Sequence, residues 1–154
     1  MNIMTKLWGS ITWIFFHTIS YRINNSYFLS HRLDILNIIS KICGVLPCPY
    51  CREHANKYLA KNHFYHIRTK EQLISFLFNF HNNVNQRLHK TTESNSILNK
   101  YKTANIELIF KSFCNEYSKK RPHIPEYMNH MQRSLILKDV KYYFKNNGHH
   151  FINS

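Results

Sequence analysis

Val45-Leu46-Pro47-Cys48-Pro49-Tyr50-Cys51-Arg52 is the stretch from which the rest of the chain is read. Neither proline can sit inside a helix, but Pro49 suits the first turn of one, with Cys48 just ahead of it. Two cysteines separated by two residues at a helix start can form a strained, easily exchanged disulfide. The helix N-terminus offers unpaired N–H groups and a positive dipole end, both of which favour a thiolate. Arg52 and Lys57 add positive charge. A thioredoxin-like home for such a pair needs a strand before the motif and a βαβ context. This chain offers helical patterning on both sides, which points to an all-α dithiol protein.

Working outward, the segment Ser30–Cys43 places Leu33, Leu36, Ile39 and Ile42 at helical spacing. Ser30 is read as its N-cap and Gly44 as a left-handed C-cap. A further helix is expected from Tyr50 to Lys61. Before the motif, Leu7–Ile23 carries a stripe of Leu7, Ile11, Ile14 and Phe15, broken by Asn24-Asn25-Ser26. After it, a helix opens near Thr69, with Glu71 and Gln72 as capping partners, and ends near His89. Leu73, Leu77, Phe80, Val84 and Leu88 form its buried stripe. Residues 90–96 read as a polar loop. Ile97–Tyr117 and Tyr127–Phe144 read as two more helices, separated by Arg121-Pro122-His123-Ile124-Pro125. Only three glycines and four prolines occur, which favours long helices over strands joined by tight turns. The expected division is a helical unit over 1–102 and a basic helical extension over 103–154.

Apolar residues make up 44% of the 154, enough for a core, so wholesale disorder is excluded. The formal charge of +13 invites polyanions, nucleic acid included. The basic residues are scattered, however, with no tract denser than Lys119-Lys120-Arg121, and no nucleic-acid motif is present. The apolar run at Trp13-Ile14-Phe15-Phe16 is interrupted by His17 and lacks a small-residue cleavage site. No stretch reaches the roughly 20 apolar residues of a membrane span. The sequence is therefore read as soluble and cytoplasmic. In such a setting four cysteines with one CxxC point to redox or metal chemistry rather than a disulfide scaffold. The metal reading stays open at this point: Cys43, Cys48, Cys51 and His54 could ligate zinc in a basic helical binding module, although the spacing is cramped for a zinc site.

Two further constellations carry polar groups on helical faces. Phe80-His81-Asn82-Asn83-Val84-Asn85-Gln86-Arg87-Leu88-His89-Lys90 holds three asparagines, poor helix formers that need a reason to be mid-helix. His81 and Asn85 share one face, and Lys90 follows. That strip suits a flat aromatic ligand bearing phosphate; the plainer reading is an exposed helix face. In Trp8-Gly9-Ser10-Ile11-Thr12-Trp13 followed by His17, Trp13 and His17 are also four apart. Gly9 permits close approach of a backbone or ligand. Alone, this is a core tryptophan with a satisfied histidine.

Taken in order, Trp8-Gly9 with Trp13 and His17-Thr18, then Cys48 with Cys51, then His81-Asn82 with Val84, Asn85, Leu88 and Lys90, resemble the Erv/ALR family of FAD-linked sulfhydryl oxidases. The match spans roughly residues 7–90, and the lean form resembles the short thiol oxidases of large cytoplasmic DNA viruses. The resemblance implies a four-helix bundle holding FAD at its mouth, a short fifth helix and a homodimer. It implies that Cys51 lies next to the flavin and that Cys48 exchanges with a dithiol protein substrate. Dioxygen is the implied electron acceptor and hydrogen peroxide the product. Gly9, Ser10, Trp13, His17, His54, His81, Asn82, Asn85 and Lys90 are the implied cofactor-binding residues, and no metal is implied. The implied setting is the cytoplasm of an infected host, with virion proteins receiving the disulfides.

This sequence also departs from the family pattern. Phe78 stands where cellular relatives carry a structural cysteine, and Ser10 where many carry Arg or Pro. No Arg-Trp closes the site after the fourth helix, so Tyr101 or Lys100 is the expected substitute. No tail CxxC acts as a shuttle. Cys43 is read as a buried thiol. Cys114 sits on the apolar side of a tail helix.

Overall fold

The computed structural model describes residues 3–120 and 129–151. These form six α-helices: α1 (Ile3–Arg22), α2 (Asn25–Cys43), α3 (Pro49–Lys61), α4 (Lys70–Arg87), α5 (Ile106–Tyr117) and α6 (His130–Asn147). Short 3-10 segments lie at Phe64–His66, Asn95–Thr103 and Gly148–Phe151. No strand occurs among the described residues, as the all-α reading expects. None of the described helices is long and apolar enough to cross a membrane. The expected Arg121–Pro125 separator lies outside the described residues.

Two helix starts form as their sequences dictate. Cys48 is the N-cap of α3, with Pro49 in the first turn. Thr69 and Gln72 make a full capping box on α4: the Thr69 hydroxyl accepts from Gln72 N at 3.1 Å, and Gln72 Oε1 accepts from Thr69 N at 3.3 Å. The α4 stripe follows, with Leu73, Leu77 and Phe80 buried and Val84 and Leu88 at its margin.

Other boundaries differ from the sequence reading. The second helix starts at Asn25, because Asn24 Oδ1 accepts from Tyr27 N at 3.0 Å and caps it first. Ser30 is then inside the helix, its hydroxyl turned back onto the Ser26 and Tyr27 carbonyls at 3.1 and 3.2 Å. The helix kinks at the next residue, His31, where φ is −125° and ψ 24°. Back-bonding by serine is a known cause of bending. Gly44 is right-handed, with φ −73° and ψ −11°. The chain leaves α2 through a tight turn closed by Val45 N to Ile42 O at 3.1 Å, so no left-handed residue is required. Leu7 and Leu33 are about half exposed, at 48% and 50%. The buried face of α1 is instead Trp8, Thr12, Phe15, Phe16 and Ile19, continued by Ile23 just past its end. Ile97–Tyr117 is not one helix: Asn105 caps α5 by accepting from Leu108 N at 3.1 Å, and residues 95–103 stay in 3-10 form.

α1 is the central element, packing most extensively against α5 and then against α4 and the 95–103 segment. The Phe15 ring meets Phe113 at 4.6 Å, Phe110 at 5.4 Å and Phe144 at 5.6 Å. Thr12 Oγ1 and Tyr117 Oη share a buried hydrogen bond of 2.6 Å between α1 and α5. The far end is tied back as well: Asn24 N donates to His150 O at 2.7 Å, and Phe151 is fully buried. Residues beyond 102 thus complete the same apolar core that frames the first four helices. Phe113 tests that continuity, since its ring is fully buried between Phe15 and Tyr117. Phe113→Ala is expected to lower the unfolding free energy by about 3–5 kcal/mol in a urea titration followed by far-UV circular dichroism. A loss below about 1 kcal/mol would mean that α5 contributes little to holding α1 in place.

Candidate active site

The dithiol begins with a helix cap. Cys48 has extended backbone angles, and its Sγ accepts a hydrogen bond from Cys51 N at 3.2 Å. Arg52 Nη1 donates to Leu46 O at 2.6 Å and pins the approach loop. Both sulfurs are half-buried, with no disulfide between them in this structure. Tyr50, between them, is 77% exposed. The pair ionises unequally. The Cys51 thiol hydrogen-bonded to Cys48, aided by the Cys51 and Tyr50 N–H groups and the Arg87 charge, brings Cys48 down to about 6 against opposing burial. The same hydrogen bond, together with burial and the Cys48 charge, pushes Cys51 far above the ordinary thiol range; Arg87 works against this rise. One negative charge therefore rests on Cys48 at neutral pH while Cys51 keeps its proton.

Behind the pair opens a cleft of about 470 Å³ walled by α1, α3, α4 and the 95–103 segment. Its size lies in the range usual for small-molecule sites. Cys51 lines it, and Cys48 is not among its lining residues. All nine residues expected to meet a cofactor line it as well. Gly9, Ser10, Trp13 and His17 come from α1, His54 from α3, and His81, Asn82 and Asn85 from α4; Lys90 follows that helix.

One wall is aromatic. The Trp13 and His81 rings stack at 4.3 Å with 9° between their planes, and Phe80 meets Trp13 edge-on at 5.0 Å. His17 Nε2 and His81 Nδ1 share a hydrogen bond of 3.0 Å. Tyr101 tilts against His17 at 5.1 Å, and Lys100 lies over the Tyr101 ring at 5.2 Å. Both substitutes expected to close the site therefore line the cleft. One polar group in this wall, His17 Nδ1, is buried without a hydrogen-bond partner, and the largely buried Asn85 lines the cleft beside it. Asn82 is differently employed: its amide donates to Glu93 O at 3.0 Å and accepts from Glu93 N at 2.9 Å, fixing the loop after α4.

That loop leaves α4 through a left-handed residue, His89, at φ 57°. His89 N reaches Gln86 O at 3.1 Å and Lys90 N reaches Asn85 O at 2.7 Å, the paired bonds of a Schellman motif. The turn sets Lys90 at the cleft rim. Sequence reasoning missed Arg87, whose Nη2 lies 3.8 Å from Cys51 Sγ, because a basic residue in a last helical turn has the same pattern as a solvated one. Cys43 lies in the cleft wall as a fully buried thiol, raised by burial to about 12. Cys114 is also buried and raised by burial, to about 11. Among the described residues no three His, Cys, Asp or Glu side chains are gathered to hold a metal ion, so Cys43, Cys48, Cys51 and His54 do not form the zinc set that the sequence left open.

The histidine pair carries a pH signature. Burial first, then His81 and Lys100, brings His17 down to about 3. Burial, Lys90 and Lys100 bring His81 down to about 4. Both folded values lie below the unfolded one, so the unfolded chain binds more protons on the acid side of 6.5. The stability the pair contributes is present above pH 6.5 and is lost as pH falls toward 4 and then 3, by at most about 1.4 kcal/mol per pH unit for each group. The urea midpoint is expected to fall between pH 7 and 4.5, and less steeply in His81→Gln. Equal slopes in the two proteins would show that His81 is not held neutral.

Comparison with known proteins places the chain in a family. The Erv1 / Alr family matches residues 10–105. A protein provisionally named FAD-linked sulfhydryl oxidase in Invertebrate iridescent virus 3 is 37% identical over 91 residues, which are 58% of this chain and 62% of that protein. The FAD-linked sulfhydryl oxidase of African swine fever virus (isolate Pig/Kenya/KEN-50/1950) is 32% identical over 112 residues, 73% of this chain and 89% of the relative. The chain thus spans a little under two thirds of the first relative and nearly all of the second. No solved structure matches it. With the family match covering most of the chain, Cys48 and Cys51 included, the chain belongs to the Erv1 / Alr family.

Proposed function

We propose that this chain is an FAD-dependent sulfhydryl oxidase in which Cys48 and Cys51 are the redox pair and the cleft behind Cys51 holds the flavin nucleotide. The observation that carries the reading is the asymmetry of the pair. Cys51 lines the cleft with all nine expected binding residues, whereas Cys48 does not line it and is flanked by exposed Tyr50.

The residues present fit the cofactor. A flat ring system suits the stacked wall of Trp13 and His81. The unpaired, buried His17 Nδ1 gains a partner when a nucleotide is bound, and the Asn85 amide lines the same cleft. Lys90 and Lys100 supply positive charge for phosphate while the adjacent histidines stay neutral. Bound there, FAD accepts the two electrons of the reduced pair and passes them to dioxygen, giving hydrogen peroxide.

The chain's own residues do the rest. A substrate thiolate attacks Cys48 of the Cys48–Cys51 disulfide, forming a substrate–Cys48 bond while the electron pair of the broken bond leaves on Cys51. The second substrate thiolate then attacks the substrate sulfur of that mixed disulfide. It departs as part of a substrate disulfide and leaves the charge on Cys48. Cys51 meanwhile takes up the proton shed by the second substrate thiol, and this proton and the helix N-terminus stabilise the Cys48 charge, which favours release of the oxidised product. Protein dithiols of a virus-infected cytoplasm or of the virion are the substrates that belong to this reading. A homodimer belongs to the same reading; Leu29 and Leu33, half exposed on α2, supply apolar surface for a second copy.

The purified chain is expected to be yellow, to bleach when a dithiol is added without air, and to recover its flavin spectrum on oxygenation. Cys51→Ser is expected to retain the flavin and to abolish dithiol-dependent oxygen consumption. A colourless protein that releases zinc to a chelator would overturn the oxidase reading, and full turnover by Cys51→Ser would overturn the role of Cys51.

A further inference from the structure

We propose that Arg87 is the counter-ion of Cys51, a positioning residue on α4 whose guanidinium, 3.8 Å from Sγ, receives the negative charge that Cys51 takes up when the Cys48–Cys51 bond is broken. The inference rests on the oxidase reading, because it assigns a role within that exchange.

The geometry separates Arg87 from the other cations of a strongly basic chain. It lines the cleft on the Cys51 side and comes from α4, across from α3, so packing of the two helices brings guanidinium and sulfur together. The other nearby arginine, Arg52, is spent on the Leu46 carbonyl at 2.6 Å. Lys57 is paired with Glu53 at 2.6 Å. Among the described residues no carboxylate lies within ion-pair distance of Arg87, so its charge is not cancelled. An arginine stays protonated at all working pH values and hydrogen-bonds well to an anion.

The chemistry needs a charge at this place. When a substrate thiolate attacks Cys48, one sulfur–sulfur bond forms and one breaks, and the electron pair goes to Cys51 Sγ. A sulfur whose thiolate is better stabilised leaves faster. Burial and a charge on Cys48 both oppose a Cys51 thiolate, whereas Arg87 favours it. In the mixed disulfide the Cys48 charge is absent, and Arg87 then acts on Cys51 without that opposition. The groups acting on Cys51 are Cys48 on α3 and Arg87 on α4. Arg87 also favours the neutral form of His54, which leaves Arg87 as the cation at that end of the cleft. A thiolate within about 4–6 Å of an opposite charge is favoured by about one pKa unit or more.

The test isolates Cys51 in a Cys48→Ser background of the flavin-loaded protein. Its pKa is read from the pH dependence of iodoacetamide alkylation, followed by mass spectrometry. Adding Arg87→Met is expected to raise that pKa by about one unit, a roughly tenfold loss of thiolate at neutral pH, and Arg87→Lys is expected to restore most of it. With Cys48 intact, anaerobic reduction of the disulfide by dithiothreitol is expected to slow severalfold in Arg87→Met and to recover in Arg87→Lys. Circular dichroism and the melting temperature establish that each variant is folded. An unmoved Cys51 pKa in folded Arg87→Met overturns the assignment even if the wild type consumes oxygen. A wild type that binds no flavin and oxidises no dithiol overturns the oxidase reading, and the alkylation shift then still reports whether Arg87 pairs with Cys51.

Discussion

The hydrogen bond from Cys51 N to Cys48 Sγ, at 3.2 Å, is the contact on which the site depends. A helix must start somewhere, and its first N–H groups need acceptors. At α3 the acceptor is a sulfur, where Ser, Thr, Asp or Asn would be the usual choice. A neutral thiol is a weak acceptor, so the cap is strong only when Cys48 carries charge. The fold thereby ties the start of a helix to a redox state: the dithiol with Cys48 ionised has the best-satisfied helix end. Pro49 contributes by removing one donor from the first turn, and Arg52 by holding the Leu46 carbonyl and the loop behind it. The proline inside the pair and the arginine after it thus act together to hold the two cysteines at the helix start, with Cys51 alone of the two lining the cleft.

Much of this could be read in the sequence. Cys48-Pro49 as a cap and first turn, Thr69 with Gln72 as a capping box, and Leu73, Leu77 and Phe80 as a buried stripe all rest on contacts within one or two helical turns. The three separated motifs converge on one cleft because each uses helical spacing to put polar groups on a single face. Readings that failed depended on competition between neighbours or on which face of a helix is covered. Ser30 lost the cap to Asn24, which stands earlier in the chain and catches Tyr27 N first. Leu7 and Leu33 fit a helical period, but periodicity does not say where α5 or α3 will lie. The break at Ala104-Asn105 was hidden in an apolar pattern that runs through it, and only the Asn105 cap marks it. Arg87 was invisible for a different reason: its partner is on another helix, and no local spacing encodes that.

The cleft walls carry a cost that the rest of the core has to offset. Burying His17 and His81 as a neutral pair leaves His17 Nδ1 unpaired. Each unsatisfied buried polar group costs about 1–3 kcal/mol. Against this stands the aromatic packing of α1 on α5 and α6, where Phe15, Phe113, Tyr117 and Phe144 are close-packed. Those helices lie at the end of the chain, largely beyond the family match at residues 10–105. Their packing offsets the strain of a polar cleft, and a ligand that satisfies the orphan group would add stability in proportion to its occupancy.

Charge completes the arrangement. Of the basic side chains near the cleft, the histidines are kept neutral by burial and by the cations beside them, so positive charge there resides on Arg87, Lys90 and Lys100. These are divided: Arg87 at the Cys51 end, Lys90 at the rim after α4, and Lys100 over Tyr101 on the far wall. A neutral aromatic floor between separated permanent cations favours an elongated ligand with a flat ring and a negative group, and it disfavours a compact dianion that would need all three charges at one point. At Cys51 itself the nearest of these cations is Arg87, and the charge that changes beside it is that of Cys48. The two thiols titrate in turn, with Cys48 ionising first, near 6, and Cys51 ionising once the charge on Cys48 has been consumed in a bond to sulfur.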